Sequence, residues 1–428
     1  MNIARAFFSL SALTVLSRVT GFIKVAAFAA FYGRSTEADM FMAIMIIPDL
    51  MYRFISEGLV ASASVPMFVD LREQPEKLGR SFWTQFWLLS IIGGTMAVLF
   101  SLFSGPICHS LTPGFAFEDL ERMRFMWSIE TICIISGLAA GVLTSLLNAR
   151  QQFAVPAIGA LLFNLAIIAG IFFARGGPVE IIAYATVFGS LLPVIWQFWL
   201  LYREKVFEVS LRAALVFDAG VAKEFLRAVT PVAIWISVLP FIPVYERYLL
   251  SMQATGSVAT LNYAEKLFNL PLGIISISLA HVILPSLSLL SGHGRLRFLG
   301  RMFGFAALAI LPVVAVILLF ADEIVSVVYQ RGRFSTEDAV IAAALFRSYS
   351  LALLPVSLCM VLNRGYFAAR NYLIPFFAGL SAAAVQFYLG ARLVNAFGVP
   401  GIGYAAAAAY LTQMLLLLVL LKPGLSRN

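Results

Sequence analysis

Several ionisable residues stand out inside long apolar stretches of this 428-residue chain. The cations are Arg18, Lys24, Arg53, Arg247, Lys266 and Arg347, and the acids are Asp39, Asp49, Glu57, Glu246 and Glu265. Each such group costs at least about 2.5–3.5 kcal/mol to place at a bilayer centre, so several together imply a water-filled cavity lined by protein. The cations suggest the chemistry. Arginine offers a bidentate fork and lysine a point charge, so a cavity with cationic excess suits a phosphate or pyrophosphate. Arg18 and Lys24 are six residues apart, about 240° around a helix, and so flank a wide cavity or grip it at two depths. Lys24 and Arg247 occupy equivalent places 223 residues apart. Plainer readings stand beside this one. Glu246–Arg247 and Glu265–Lys266 are adjacent pairs that do not share a helix face, Arg53 and Glu57 have the i,i+4 spacing of a structural pair, and Arg347 can snorkel to an interface. Ser17, next to Arg18, and Glu57 are candidates for a gate or a structural role.

No competing chemistry is visible. The cysteines (Cys108, Cys133, Cys359) and histidines (His109, His281, His293) are scattered, which argues against a disulfide framework or a metal site. There is no Ser/His/Asp grouping, P-loop or nucleotide fingerprint. The expectation is a protein that is not an enzyme, has no cofactor, and draws on an ion gradient or membrane potential.

The elements that position these charges are membrane helices. Hydrophobic residues make up 61% of the chain, charged residues 12%, and mean hydropathy is +0.92. A soluble domain carries about 45–50% apolar and about 25% charged residues. At about 20 residues per span, the pattern predicts an all-α polytopic membrane protein with twelve helices: 4–32, 36–68, 82–104, 124–148, 154–174, 179–202, 222–250, 258–290, 300–320, 338–363, 373–396 and 400–421. The first two and the eighth are longer and more polar than a lipid-facing helix needs, as in helices that line a cavity or bend. The N-terminus reads as a retained first helix, because no A-x-A-like cleavage site follows it. With both termini inside, cytoplasmic segments hold 17 loop cations, among them Arg72, Lys77, Arg203 and Lys205, and the opposite loops hold 7, among them Arg34, Arg122 and Arg331. The positive-inside rule therefore selects an N-in, C-in topology, and the net charge of +8 reflects these loops rather than a nucleic-acid partner.

The chain also repeats. Gly33 and Pro48 recur as Gly256 and Pro271 at an offset of 223. After a four-residue slip, Pro66, Phe115 and Gln152–Pro156 recur as Pro285, Phe334 and Asn371–Pro375 at 219. This predicts two six-helix lobes around a central cavity, 1–203 and 222–428, joined by a cytoplasmic linker at 204–221. Parallel repeats of this type are typical of alternating-access transporters.

The first seventy residues carry Ser17-Arg18-Val19-Thr20-Gly21-Phe22, Phe31-Tyr32-Gly33, Asp39-Met40-Phe41, Ile47-Pro48-Asp49-Leu50, Glu57-Gly58 and Val65-Pro66. In pattern and spacing this resembles the MurJ (MviN) family of lipid II flippases, and the likeness continues to about residue 422. The resemblance implies the two-lobed fold of the multidrug/oligosaccharidyl-lipid/polysaccharide exporter superfamily. It implies an undecaprenyl-pyrophosphate-linked peptidoglycan precursor as substrate, flipped from inner to outer leaflet of the bacterial inner membrane, with cell-wall synthesis machinery as a candidate partner beside the membrane lipids. By motif position, pyrophosphate-binding cations fall on Arg18, Lys24 and Lys266, and Asp39 falls on a position of functional weight. The chain departs from the pattern at Lys24-Val25 (usually Arg-Asp), Tyr52-Arg53 (usually Arg-Arg) and Lys266 (usually Arg), and family members commonly have fourteen helices.

The resulting expectation is a lipid II flippase whose head-group site uses Arg18, Lys24, Asp39, Arg53, Arg247 and Lys266. The alternative is a flippase for another polyprenyl-linked oligosaccharide, such as an O-antigen or exopolysaccharide unit. A multidrug antiporter fits less well, because cationic drugs call for acidic cavities. A glycosyltransferase would need large polar loops, and a non-transporting scaffold would not need the cavity charges. The topology predicts that Leu78→Cys and Lys205→Cys are protected from an impermeant thiol reagent in spheroplasts while Gly332→Cys reacts; a labelled position 205 would overturn it.

Overall fold

The computed structural model describes residues 3–56, 59–204, 217–236, 241–277, 279–280, 283, 287, 290, 292–369 and 371–421. Its helices are α1 (Ile3–Tyr32), α2 (Thr36–Ile44), α3 (Ile46–Ser56), α4 (Leu59–Asp70), α5 (Pro75–Leu102), α6 (Ser104–Leu111), α7 (Phe117–Glu130), α8 (Ile132–Ala149), α9 (Ala154–Ala174), α10 (Glu180–Arg203), α11 (Ala219–Ile236), α12 (Phe241–Ser251), α13 (Ser257–Pro271), α14 (Gly292–Tyr329), α15 (Thr336–Ser350), α16 (Leu353–Ala368), α17 (Leu373–Phe397) and α18 (Gly401–Val419). Helix is the expected answer for so apolar a chain, since in lipid each backbone N–H and C=O must be satisfied within its own segment.

Among the described residues, eight continuous helical stretches are long and apolar enough to cross a membrane, where twelve spans are expected from the sequence. They are Pro75–Leu102, Phe117–Ala149, Ala154–Ala174, Glu180–Arg203, Gly294–Tyr329, Thr336–Ala368, Leu373–Phe397 and Gly401–Val419. The stretches not among the eight are 4–32, 36–68, 222–250 and 258–290, in each of which some residues or side chains lie outside the described ones. Residues 4–32 form the single 30-residue helix α1. Within 36–68 a turn at Met45 separates α2 from α3, residues 57–58 and 237–240 lie outside the described residues, and α13 passes into a π-helical turn at Leu272–Ile277 directly after Pro271.

The chain divides into two compact units, Met1–Tyr32 with Thr36–Val244, and Gly33–Ser35 with Tyr245–Asn428. In the first, α8 is almost wholly buried and packs against α3, α4, α5 and α10, while α1 runs along α9. Small residues permit the close approaches. A Cβ on Gly189 would meet that of Ala166 at 3.0 Å across α9 and α10, and one on Gly137 would meet Met51 at 2.9 Å across α8 and α3. Helix α11 starts at Asp218, whose Oδ1 accepts the N–H groups of Gly220 and Val221 at 2.9 and 3.2 Å, and it packs on α4 and α5. Trp83, Trp87 and Phe198 cluster near one end of the unit, where Arg203 also lies over Trp199, as in an interfacial aromatic belt.

In the second unit, α17 packs along α18, and α15 and α16 pack against α14. Helix α15 opens with a capping box between Ser335 and Asp338. Helix α14 is distorted at Phe320, and Arg347 donates to the nearby Leu318 carbonyl at 3.2 Å and to Asp322 Oδ2 at 2.6 Å. Arg347 is therefore a partner for a helix distortion and an acid, and not a cavity cation.

The turn at Gly33–Ser35 is held within this unit by hydrogen bonds. Tyr263 donates to the Gly33 carbonyl at 2.7 Å, Arg34 Nε donates to Thr260 Oγ1 at 2.7 Å, and the Arg34 guanidinium lies 3.7 Å from Asp338. Gly33 and Gly256, which share a place in the sequence repeat, both adopt positive φ, 58° and 86°. A Cβ on Gly256 would stand 2.7 Å from the Arg34 carbonyl oxygen. Left-handed strain and this collision together cost about 1–3 kcal/mol. Gly256→Ala should therefore lower the thermal midpoint in detergent by several degrees, whereas Gly300→Ala, in open space within α14, should leave it unchanged or raise it slightly. Equal midpoints for the two variants would contradict this account.

Candidate functional site

In the first unit, α1 places the motif residues through its contact with α9. The Ser17 carbonyl accepts from Asn164 Nδ2 at 3.2 Å and from the Thr20 hydroxyl at 3.0 Å. Gly21, one turn on, leaves room for the same amide. Ser17 thus has a structural role through its backbone. Arg18 is exposed and makes no ion pair among the described residues. Lys24 is half-buried, with Nζ 5.5 Å from the Phe163 ring centroid, a cation–π contact. Its neighbour Val25 is only 2% exposed, so the departure from the family's acid at this position removes no charge from an open face.

Asp39 is buried in the first turn of α2, where the helix dipole favours a carboxylate. That placement suffices to explain an acid there. The Arg53 side chain and Glu57 lie outside the described residues.

A residue that sequence reasoning does not single out lies beside Lys24. Glu130, the last residue of α7, is 0% exposed, and neither carboxyl oxygen has a hydrogen-bond partner among the described residues. Lys24 and Asp49 are its charged neighbours. The available signal is a lone acid inside the apolar stretch 124–148.

The second unit collects Arg247, Lys266 and two acids. Glu246 is 1% exposed, and its Oε1 accepts from Tyr349 at 3.1 Å and Gln386 Nε2 at 2.9 Å. Arg247 and Glu265 both act on Glu246 electrostatically, and Arg247 is itself buried. The adjacent pair Glu246–Arg247 therefore enters one buried polar cluster, although sequence spacing alone sets the two on different faces. Lys266 is half-buried and, among the described residues, has no ion pair. One turn before it, Asn262 is buried with Oδ1 unsatisfied; sequence reasoning misses it because asparagine carries no charge to draw attention.

Arg18 and Lys266 are thus cations with no ion pair among the described residues, and Lys24 acts on the buried acid Glu130. Such positions suit anion recognition. Among the described residues no group of His, Cys, Asp and Glu could hold a metal ion.

These features define an all-helical, multi-pass membrane transporter. The fold matches a solved structure described as lipid II flippase MurJ in an inward closed conformation, with a TM-score of 0.85 and 21% identity over 96% of this chain and 87% of that one. It also matches an inward-facing MATE family multidrug transporter of the MOP superfamily, with a TM-score of 0.74 and 15% identity over 99% of each chain. At these identities the likeness concerns the fold. The family described as "Lipid II flippase MurJ" matches residues 28–427. Lipid II flippase MurJ of Burkholderia cenocepacia is 26% identical over 451 aligned positions, covering 99% of this chain and 85% of that protein. The probable lipid II flippase MurJ of Buchnera aphidicola subsp. Baizongia pistaciae is 25% identical over 386, covering 88% and 75%. The chain belongs to the MurJ family of lipid II flippases.

The buried Glu246 cluster yields a stability prediction. Tyr349→Phe removes one of the two donors to a buried carboxylate, which costs about 1–3 kcal/mol. A clear fall in the thermal midpoint in detergent is expected; an unchanged midpoint would show that the hydroxyl contributes nothing to holding Glu246.

Proposed function

We propose that the chain translocates lipid II, the undecaprenyl-pyrophosphate-linked peptidoglycan precursor, from inner to outer leaflet of the bacterial inner membrane by alternating access. The observation that carries this reading is the set of cations Arg18, Lys24 and Lys266 in membrane helices of a MurJ-family chain, with Arg18 and Lys266 lacking an ion pair among the described residues. The pyrophosphate is the counterion. Arg18 supplies a fork for the phosphate oxygens, and Lys24 and Lys266 supply point charges. Arg53 and Arg247 add positive potential, and Asp39 holds the start of α2.

The halves 1–203 and 222–428, each of six spans, act as the alternating lobes around a central cavity, with both termini cytoplasmic and 204–221 as linker. Glu57 serves as a gate or structural residue. The prenyl tail stays in lipid while the head group crosses, and cell-wall synthesis machinery receives the product. The protein acts by moving lipid and breaks no bond.

A second reading, a flippase for another polyprenyl-linked glycan, draws support from Tyr52 in place of the family's arginine. The same cations serve it, since the pyrophosphate is shared. Rescue of a strain depleted of its lipid II flippase separates the two.

Losing one charge-assisted contact costs about 1.5–3 kcal/mol, or about ten- to a hundredfold in affinity. Arg18→Ala, Lys24→Ala and Lys266→Ala should each lower rescue and lipid II translocation sharply at near-normal protein abundance, and Lys24→Arg should be tolerated. Normal transport by all three alanine variants would overturn the cationic site, and failure of the wild type to rescue would favour the other glycan.

A further inference from the structure

Among the described residues, Glu130 and Glu246 are the most deeply buried acids, and their surroundings differ. Glu246 in the second unit is held by two donors, the Tyr349 hydroxyl and the Gln386 amide. Glu130 in the first unit has none on either oxygen among the described residues. The position is related by the sequence repeat: Glu130 and Tyr349 are 219 residues apart, the offset that also relates Phe115 to Phe334. Where the second unit places a hydroxyl that serves a carboxylate, the first places the carboxyl itself.

Glu130 closes α7 just before Thr131, and α8 continues from there. Asp49 of α3, which crosses α8 at Met51 and Gly137, and Lys24 of α1 are the charged groups that act on it electrostatically. Cys133 on α8, one turn on, is the remaining titratable neighbour, a buried thiol. Among the described residues, α2, α5, α6 and α10, which also pack on α7, bring no further charged group to bear on it.

A buried carboxylate without donors is tolerable as an anion only while a cation compensates it; otherwise it neutralises by taking a proton. Among the described residues Lys24 is the cation that acts on Glu130, and Asp49 is a second acid that opposes its charge. We propose that Glu130 is a proton-binding site linked through Lys24 to the anion site. When the substrate's pyrophosphate takes the charge of Lys24, Glu130 loses its compensation and accepts a proton from water. When the anion leaves, Lys24 again compensates Glu130 and the proton is released. Anion and proton therefore bind together, and affinity for the anion falls as pH rises. No bond other than the carboxyl O–H forms or breaks. The inference rests on the assignment of Lys24 to the pyrophosphate.

The test uses the full-length protein in detergent with lipid II as ligand. Its pyrophosphate is a diester with no proton to lose near neutrality, so the phosphate itself contributes no pH dependence. Binding by the wild type is measured across the pH range, and proton uptake on mixing is read with a dye in weak buffer. The expected result is uptake of up to one proton per bound lipid, with affinity falling by up to about tenfold per pH unit through the window in which Glu130 changes protonation. Glu130→Gln, which fixes the neutral form, should bind as the wild type does at low pH and retain that affinity at high pH, with the uptake gone. Asp49→Asn should still take up the proton. Three results overturn the proposal while leaving the flippase reading intact: binding by wild type without uptake, uptake that persists unchanged in Glu130→Gln, or uptake lost in Asp49→Asn instead. The wild-type uptake stands as a test even if Glu130→Gln fails to fold. If the wild type does not bind lipid II at all, the substrate assignment fails and this linkage fails with it.

Discussion

An ionised group among apolar helices must be compensated by another group of the protein, by water or by a ligand. Most of the fold's polar architecture follows from that constraint. Arg34 is met by Thr260 and Asp338, Arg347 by Asp322 and a carbonyl near the distortion of α14, and Glu246 by Tyr349 and Gln386. Against these satisfied groups the exceptions stand out. Arg18 and Lys266 are cations with no described ion pair, and Glu130 is an acid with no described donor. In a membrane-embedded protein, charges that the fold leaves uncompensated are the places where a substrate or a proton completes the electrostatics.

The same constraint acts on the backbone. Continuous helices form where the sequence is uniformly apolar, as in α9 and α18, because helical hydrogen bonds satisfy the chain without outside help. The backbone departs from the α-helix where polar side chains accumulate in α13, which carries Asn262, Glu265 and Lys266 and gives way to a π-helical turn after Pro271. The two site-bearing helices differ in this respect: α1, with Arg18 and Lys24, is one continuous helix, whereas α13, with Lys266, runs into the π-helical turn.

Much of this is legible in the sequence. Composition alone requires a helical membrane fold, and the long, polar stretch 258–290 signals the π-helical turn found there. The repeat pairs Gly33 with Gly256, and both prove to hold the left-handed conformation that glycine permits. What the sequence does not disclose are contacts set by helix rotation and distant partners. Glu246 meets Tyr349 and Gln386 across separations of 103 and 140 residues, so an acid that reads as half of an adjacent pair with Arg247 proves to be part of a buried network. Glu130 carries a visible signal, one acid in an apolar stretch, but its meaning depends on Lys24 and Asp49, which arrive from helices far away in sequence. Val25 shows the converse: a departure from the family pattern beside a functional lysine, it turns out to face the protein interior.

The central claim is that the uncompensated cations are completed by a lipid-linked pyrophosphate. Native mass spectrometry of the protein purified in mild detergent addresses it directly. The account predicts that the wild type retains a polyprenyl-pyrophosphate-linked glycan with the mass of lipid II, and that a variant combining Arg18→Ala, Lys24→Ala and Lys266→Ala, folded to the same degree, retains none. Equal retention by the two proteins, or a wild type that carries only membrane phospholipid, would contradict it.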